Sequence, residues 1–312
     1  MPLPRPADYI LEQRFQAYIR NNCNSSAAAR ELKIAESTFK KQIDFYREAH
    51  PEKFDNAVYQ ARNGHWTIPA THTIELKSGS VLIGGDLHIW PGQEPAMWNA
   101  FCKIAWRLKP QVIVLNGDII DGARVSRHGA LLGQQAPKVN DEVIAAQKLL
   151  GMLPNAQHKI WTMGNHDIRV DNYLANQASE LEDYAGKLSD RFPNYKFCYA
   201  VVVNEVEIRH RFRGGIHSAW NNALHSGVTI VTGHTHQLQV TAVRNRHGSH
   251  WGIEGGMLAD PNSKQFEYAE GAPSRAQEGF VVLSFDEDGK VMPPELCEMV
   301  RGYPVFRGQK VF

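Results

Sequence analysis

The sequence predicts a mixed α+β protein, a small all-helical segment followed by a larger domain of strands and helices. Three observations predict it. The first sixty or so residues place apolar side chains at helical spacing and hold no β-rich run. After Gly64, short apolar runs alternate with helical stretches and then give way to more strands. Four clusters of Asp, Asn, Gly and His follow directly on those apolar runs. With 312 residues, 43% hydrophobic and 21% charged, the composition is globular. The length suits two domains, or one large domain with an appendage.

Taken in order, residues 7–20 carry Ile10, Leu11, Phe15, Tyr18 and Ile19 close to a helical period. Asn21 to Asn24 break that helix, and Ser25 or Ser26 is placed to cap a second over residues 27–32. A turn over residues 33–36 precedes a third helix, capped by Ser37 and ending before Pro51. Residues 71–76 and 81–87, joined by Lys77-Ser78-Gly79-Ser80, read as a β-hairpin. Helices at 95–107 and 141–150 alternate with strands at 112–115 and 159–162, and a helix is expected at 175–189. Strands follow at 197–203, 205–210, 229–231 and 280–285, the last closed by Asp286-Glu287-Asp288-Gly289. The expected domains are 1–62 and 63–312.

Charge and cysteine usage exclude several classes. The 34 basic and 33 acidic side chains leave +1, so neither a polybasic arm nor an acidic tail is the main device. The opening Met-Pro-Leu-Pro-Arg-Pro has no apolar signal core, and no apolar run approaches the roughly 18 residues of a membrane span. Cys23, Cys102, Cys198 and Cys297 are scattered singly, as suits reduced thiols in a cytoplasm. A cytoplasmic location without a membrane partner is the expectation; oligomeric state is not legible.

The clusters carry the chemistry. Asp86-Leu87-His88 follows the run 81–85, Gly117-Asp118-Ile119-Ile120-Asp121 the run 112–115, Gly164-Asn165-His166-Asp167 the run 160–162, and Gly233-His234-Thr235-His236 the run 228–231. If each strand continued, residues two apart would face one pocket, pairing Asp86 with His88 and His234 with His236. The adjacent glycines would let the backbone approach a metal or phosphate. Carboxylate, imidazole and amide oxygen together suit Mn, Fe or Zn better than a thiolate or all-oxygen cage.

In this order the clusters resemble the calcineurin-like metallophosphoesterases, whose pattern runs Asp-x-His, Gly-Asp-x-x-Asp, Gly-Asn-His-Asp/Glu, a lone His, then Gly-His-x-His. The set is similar to that of phage-type members and of double-strand-break repair nucleases. The resemblance spans Asp86 to His236 and implies a four-layer α/β/β/α sandwich. It implies one metal on Asp86, His88, Asp118 and His236, and a second on Asp118, Asn165, His234 and the lone histidine, with Asp118 bridging. Manganese is expected foremost, with Fe, Zn, Ni and Mg open. His210 and His217 both stand in the window for the lone histidine; His210 is favoured because it ends the β run on the face of Val206 and Ile208. Arg211 follows it where the family more often has Gly. A metal-bridging hydroxide would attack phosphorus, with His166 as general acid oriented by Asp121 and Asp167 bracing the loop. Gly122 stands where the family often has Arg, so the phosphate-binding candidates are Arg127, His128, Arg169, Arg211 and Arg213.

Residues 26–39 resemble a helix-turn-helix, with Ala29 at the helix crossing and Leu32, Ile34 and Phe39 in its core. Lys33 replaces the usual Gly at the turn, and Thr38, Lys40, Lys41 and Gln42 would face a major groove with Arg30 on a phosphate. Residues 1–62 hold ten basic and eight acidic side chains, a mild balance for a DNA binder. The leading expectation is a DNA phosphodiesterase or nuclease, of phage or prophage kind in a bacterial cytoplasm. The alternative is a phosphomonoesterase acting on phosphoprotein or nucleotide, with the helices as an interaction module.

Overall fold

A computed structural model of the chain describes residues 6–21, 25–51, 53–54, 68–126, 136–177, 187–245, 248–269 and 275–312. The chain divides into two compact units, Met1–Ile68 and Pro69–Phe312.

In the first unit, helices α1 (Asp8–Arg20), α2 (Ser25–Glu31) and α3 (Glu36–Ala49) enclose a core of Leu11, Phe15, Ala28, Ala29, Phe39, Ile43 and Tyr46. Phe15 stacks on Tyr46 with ring centroids 4.2 Å apart. The turn after α2 is a Schellman motif: Ile34 N–H donates to Ala29 O and Lys33 N–H to Arg30 O. Lys33 takes the left-handed backbone, φ 52°, that the motif demands. The α3 cap differs from the sequence expectation. Ala35 holds the N-cap position and Ser37 lies inside the helix, because Glu36 already has helical backbone.

The second unit is built on two sheets. The strands are β1 (Thr71–Ile74), β2 (Gly79–Gly84), β3 (Val112–Asn116), β4 (His158–Thr162), β5 (Lys196–Cys198), β6 (Ala200–Val203) and β7 (Val206–Arg209). They continue with β8 (Thr229–Thr232), β9 (Leu238–Asn245), β10 (Gly248–Gly255), β11 (Gly279–Phe285), β12 (Glu295–Val300), β13 (Tyr303–Phe306) and β14 (Gln309–Lys310). One sheet runs β1-β6-β7-β8-β10-β9 and the other β14-β13-β12-β11-β2-β3-β4-β5. Strands β2 to β5 are mutually parallel. Such strands are covered on both faces, and all five residues of β3 are buried.

Ile74, Val201, Val203, Val206, Ile208 and Val231 of the first sheet form one core with Val81, Ile83, Val112, Val114, Ile160 and Val281 of the second. Helix α4 (Ala96–Leu108) packs on β2 and β13; α7 (Ser218–Ser226) packs on β8, β9 and β10. Helices α5 (Val139–Leu150) and α6 (Arg169–Gln177) connect β3, β4 and β5. The result is the helix–sheet–sheet–helix layering expected from the sequence. Among the described residues, no helix is long and apolar enough to cross a membrane.

Three sequence expectations are corrected. The hairpin over 71–87 does not form: β1 pairs with β6 and β2 with β3 and β11, in different sheets. The run 197–203 is two strands, split at Tyr199 between the sheets. The helix placed at 175–189 begins at Arg169; residues 178–186 lie outside the described residues, and a 3-10 turn covers Leu188–Arg191.

Candidate metal centre

The four clusters leave the carboxyl ends of parallel strands β2, β3 and β4 of one sheet and of β8 of the other, strand ends at which loops converge. Their backbone is not extended. Asp86, His88, Asp118, His234 and His236 have φ of 51°, 41°, 49°, 68° and 57°. The alternation reading is therefore replaced by a left-handed one, which costs a non-glycine residue about 1 kcal/mol. Cross-loop bonds hold it, with Asp86 N–H donating to Gly117 O and His88 N–H to Asp118 O, both 2.9 Å.

The curl brings the clusters together. His236 Nε2 lies 3.1 Å from Asp86 Oδ1 and 3.3 Å from His88 Nε2. His210 Nε2 lies 3.1 Å from Asp118 Oδ2, and donor atoms of Asp118, His210 and His234 fall within 4.8 Å of one another. His217 sits exposed at the N-cap of α7, so the fold brings His210, and not His217, to Asp118.

Two buried atoms test whether cations fit. Asn165 Oδ1 and His210 Nε2 are both buried without a hydrogen-bond partner, although His210 Nδ1 donates to Asn116 O at 2.8 Å. Fixing one ring nitrogen in this way leaves the other as a free donor atom. Burial drives the His210 imidazole down, yet the buried Asp118 and Asp86 carboxylates outweigh it and push it up to about 10. A site that draws a proton onto a buried ring is short of positive charge, which divalent cations would supply. The residues fit such ions.

Beside these donors, Asp121 Oδ1 lies 2.9 Å from both His166 Nδ1 and His88 Nδ1. Burial raises the Asp121 carboxyl, but those two bonds hold it well below the usual carboxylate range. Asp121 therefore fixes two imidazoles, the expected His166 and also His88. Burial lowers His88, leaving a neutral ring whose Nε2 carries the lone pair. For His166, burial pulls down while Asp121 and Asp118 pull up, with a net rise. A second proton belongs on Nε2, to which Arg169 Nη2 now donates at 3.0 Å. Arg169 has to turn aside for His166 to carry that proton.

Supports beneath the site were only partly legible. Asp167, expected as a brace, accepts N–H bonds from Asp118, Ile119, Ile120 and Gly164, at 2.9 to 3.0 Å. Glu142 accepts from Gly122 N–H at 2.7 Å, and burial pushes its carboxyl up to about 7. It was missed, although its place on the stripe with Val143, Ala146 and Leu149 put a carboxylate where apolar residues belong. Glu254, also missed, accepts from Thr232 Oγ1 at 2.8 Å and Thr235 Oγ1 at 2.5 Å, steadying the His234–His236 loop. Phe266 meets the rings of His88 and His236 edge-on, 5.2 and 5.8 Å between centroids.

Arg169 and Arg211 line a cavity of about 810 Å³ that reaches Asn165. Arg211 and Arg213 line a second, of about 410 Å³, that reaches His234. Arg127 and His128 lie outside the described residues. On the first unit, Arg30, Lys40 and Lys41 are exposed, but Lys40 is paired with Glu36 at 2.6 Å. Thr38 and Gln42 are half-buried, so only part of the expected face of α3 is open.

A two-sheet α/β fold collecting carboxylates, imidazoles and an amide at its strand ends defines a metal-dependent hydrolase. The chain belongs to the calcineurin-like phosphoesterase family, whose sequence profile matches residues 79–235. No curated protein matches it by sequence. Among solved structures it is similar to wild-type Vps29 complexed with zinc from Entamoeba histolytica, at 15% identity over 75% of this chain and 99% of that one, TM-score 0.40. It is also similar to YfcE, a phosphoesterase from E. coli, at 15% identity over 69% and 97%, TM-score 0.33. A third is the nuclease MPE of Pseudomonas putida, at 15% identity over 68% and 86%, TM-score 0.28.

Proposed function

We propose that the chain is a dinuclear metal-dependent phosphodiesterase that cuts DNA. The observation that carries the reading is one arrangement: a donor group of Asp86, His88 and His236, a second of Asp118, His210 and His234, His166 Nε2 3.9 Å from Asp118 Oδ2, and an arginine-lined cavity of about 810 Å³ opening at Asn165. That volume is larger than a phosphate group needs.

Asp86, His88, Asp118 and His236 would hold one ion, and Asp118, Asn165, His210 and His234 the other. Two such ions, when bound, supply an activated water and a clamp on phosphate oxygens. Manganese is our choice among Mn, Fe, Zn, Ni and Mg. Arg169 and Arg211 bind the non-bridging phosphate oxygens by charge-assisted hydrogen bonds. His166, its Nδ1 proton held by Asp121, passes a proton from Nε2 to the leaving oxygen. The movement of Arg169 from Nε2 to the substrate would free that nitrogen and place the guanidinium on the phosphate in one step.

The test is a gel assay with circular single-stranded DNA and linear duplex DNA, run with manganese and with chelator. Metal-dependent loss of either DNA is expected, about 10²-fold or more slower in His166→Asn at unchanged metal content. Intact DNA together with phosphate release from a monoester would replace this reading with a phosphomonoesterase. Metal loss in His166→Asn would overturn the split between ligands and acid.

We read α2 and α3 as a helix-turn-helix that holds DNA, supported by the Schellman turn at Lys33 and by exposed Arg30 and Lys41. In the full-length chain with chelator present, Arg30→Ala combined with Lys41→Ala should weaken DNA retention about tenfold, with a shallower salt dependence. Unchanged retention would take these helices out of DNA binding.

A further inference from the structure

The loop 211–217 follows His210 and its side chains are exposed, yet its backbone is pinned. Arg213 N–H donates to Asn222 Oδ1 at 3.1 Å, and Gln237 Nε2 donates to Gly215 O at 3.3 Å. Asn222 is itself buried and bonded to Glu254, which also steadies the His234–His236 loop. What this loop presents is thus fixed relative to the proposed ligand His234.

It presents a flat apolar ring among cations. Phe212 is 40% exposed and lines the cavity of about 410 Å³ together with Tyr199, Arg209, Arg211, Arg213 and His234. The Arg209 guanidinium lies over the Phe212 ring, 5.3 Å from its centroid, while pairing with Glu207 at 2.9 Å. Arg209 Nε is buried without a hydrogen-bond partner. Arg211 and Arg213 make no ion pair among the described residues. Two uncompensated cations beside an aromatic face match a group that is at once planar and anionic. Arg211 lines this cavity and the larger one at Asn165, so the two spaces flank the centre and meet at that side chain. A phosphomonoester has one substituent to place; a chain phosphodiester has two.

We propose that the cavity beside His234 is a subsite for one unpaired nucleotide of the substrate strand, its base against Phe212 and its phosphate on Arg211 and Arg213. The proposal rests on the diester reading above and deepens it. Within a duplex both faces of a base are already covered by its neighbours. Only an unstacked base can offer a face to Phe212, so the subsite selects single-stranded, frayed or flipped nucleotides. Stacking on an aromatic ring tolerates any base, so it brings strand-state selectivity without sequence selectivity.

The test uses the full-length chain and two single strands of ten nucleotides, one ordinary and one of abasic linkers with the same phosphates. Affinity is read by fluorescence anisotropy with chelator present, and cleavage separately with manganese. The ordinary strand should bind more tightly than the abasic one. The ratio of the two affinities should fall about tenfold in Phe212→Ala and return in Phe212→Tyr. Arg211→Ala should weaken both strands alike. A ratio near one in the wild-type chain, or one that Phe212→Ala leaves unchanged, overturns the subsite even if both strands are cut with manganese. Base-dependent binding that Phe212→Ala abolishes, with neither strand cut, keeps the subsite and overturns the nuclease reading instead.

Discussion

Asp118→Ala is expected to empty both halves of the proposed centre and to lower turnover by at least about 10³-fold, the scale of several kcal/mol of lost charge stabilisation. The expectation follows from how much one carboxylate does. Its Oδ2 lies 3.1 Å from His210 Nε2 and 3.9 Å from His166 Nε2, and its Oδ1 accepts the His166 backbone N–H at 2.8 Å. Burial disfavours its charge, but His210, His166 and His88 hold the carboxyl far below the usual range. Removing it takes the one donor assigned to both ions and strips His210 of its closest counter-charge. Metal content per chain, read by elemental analysis after dialysis, should fall from two towards zero. Retention of one full equivalent would assign Asp118 to a single ion and remove the bridging role.

Much of this centre could be read from the sequence, because its donors sit in short clusters whose residue types state their chemistry. Asp86, His88, Asp118, Asn165, His166, His234 and His236 were each singled out, and the fold brings them to one place. The backbone that does so could not be read. Five of these residues lie in left-handed conformation, stabilised by bonds between loops that are distant in the chain, such as His88 N–H to Asp118 O. Local pattern has no access to such bonds.

The hairpin over 71–87 failed for a related reason. Its turn chemistry was plausible, but Asn204, far along the chain, accepts Leu76 N–H and donates to Leu76 O and Gly289 O. Those contacts pin the connection between the sheets and leave β1 to pair with β6. Glu142 is the contrasting case. Its signal was present, a carboxylate on an apolar helical stripe, and only the destination of its hydrogen bonds was hidden.

The glycines before the ligands, expected to let the backbone approach a metal or phosphate, also make room for neighbouring parts of the protein. A Cβ on Gly164 would lie 2.1 Å from Asp118 Oδ1 and 2.3 Å from Asp118 N, closer than any real contact. One on Gly117, φ +77°, would lie 2.4 Å from His210 Cγ. These glycines leave space for the ligand side chains of neighbouring loops.

Gly164→Ala should therefore disable the centre without touching a ligand. The backbone of Gly164 suits alanine, so the cost is one of space and not of conformation. Relieving the clash requires the two loops to part, which strains the bonds that Gly164 N–H and Asp118 N–H both donate to the same Asp167 oxygen at 2.9 Å. Asp118 is displaced, backbone and carboxylate together, and metal affinity and turnover should each fall by about 10²-fold or more, with far-ultraviolet circular dichroism unchanged. Gly92→Ala is the control. Gly92, at φ +83°, has nothing within 4 Å of an added Cβ, so that variant should lose about 1 kcal/mol of stability and keep its metals. If Gly164→Ala bound two ions as tightly as the wild-type chain, the clash would be relieved elsewhere. The shared grip of Asp167 on the two loops would then not be what holds Asp118 in place.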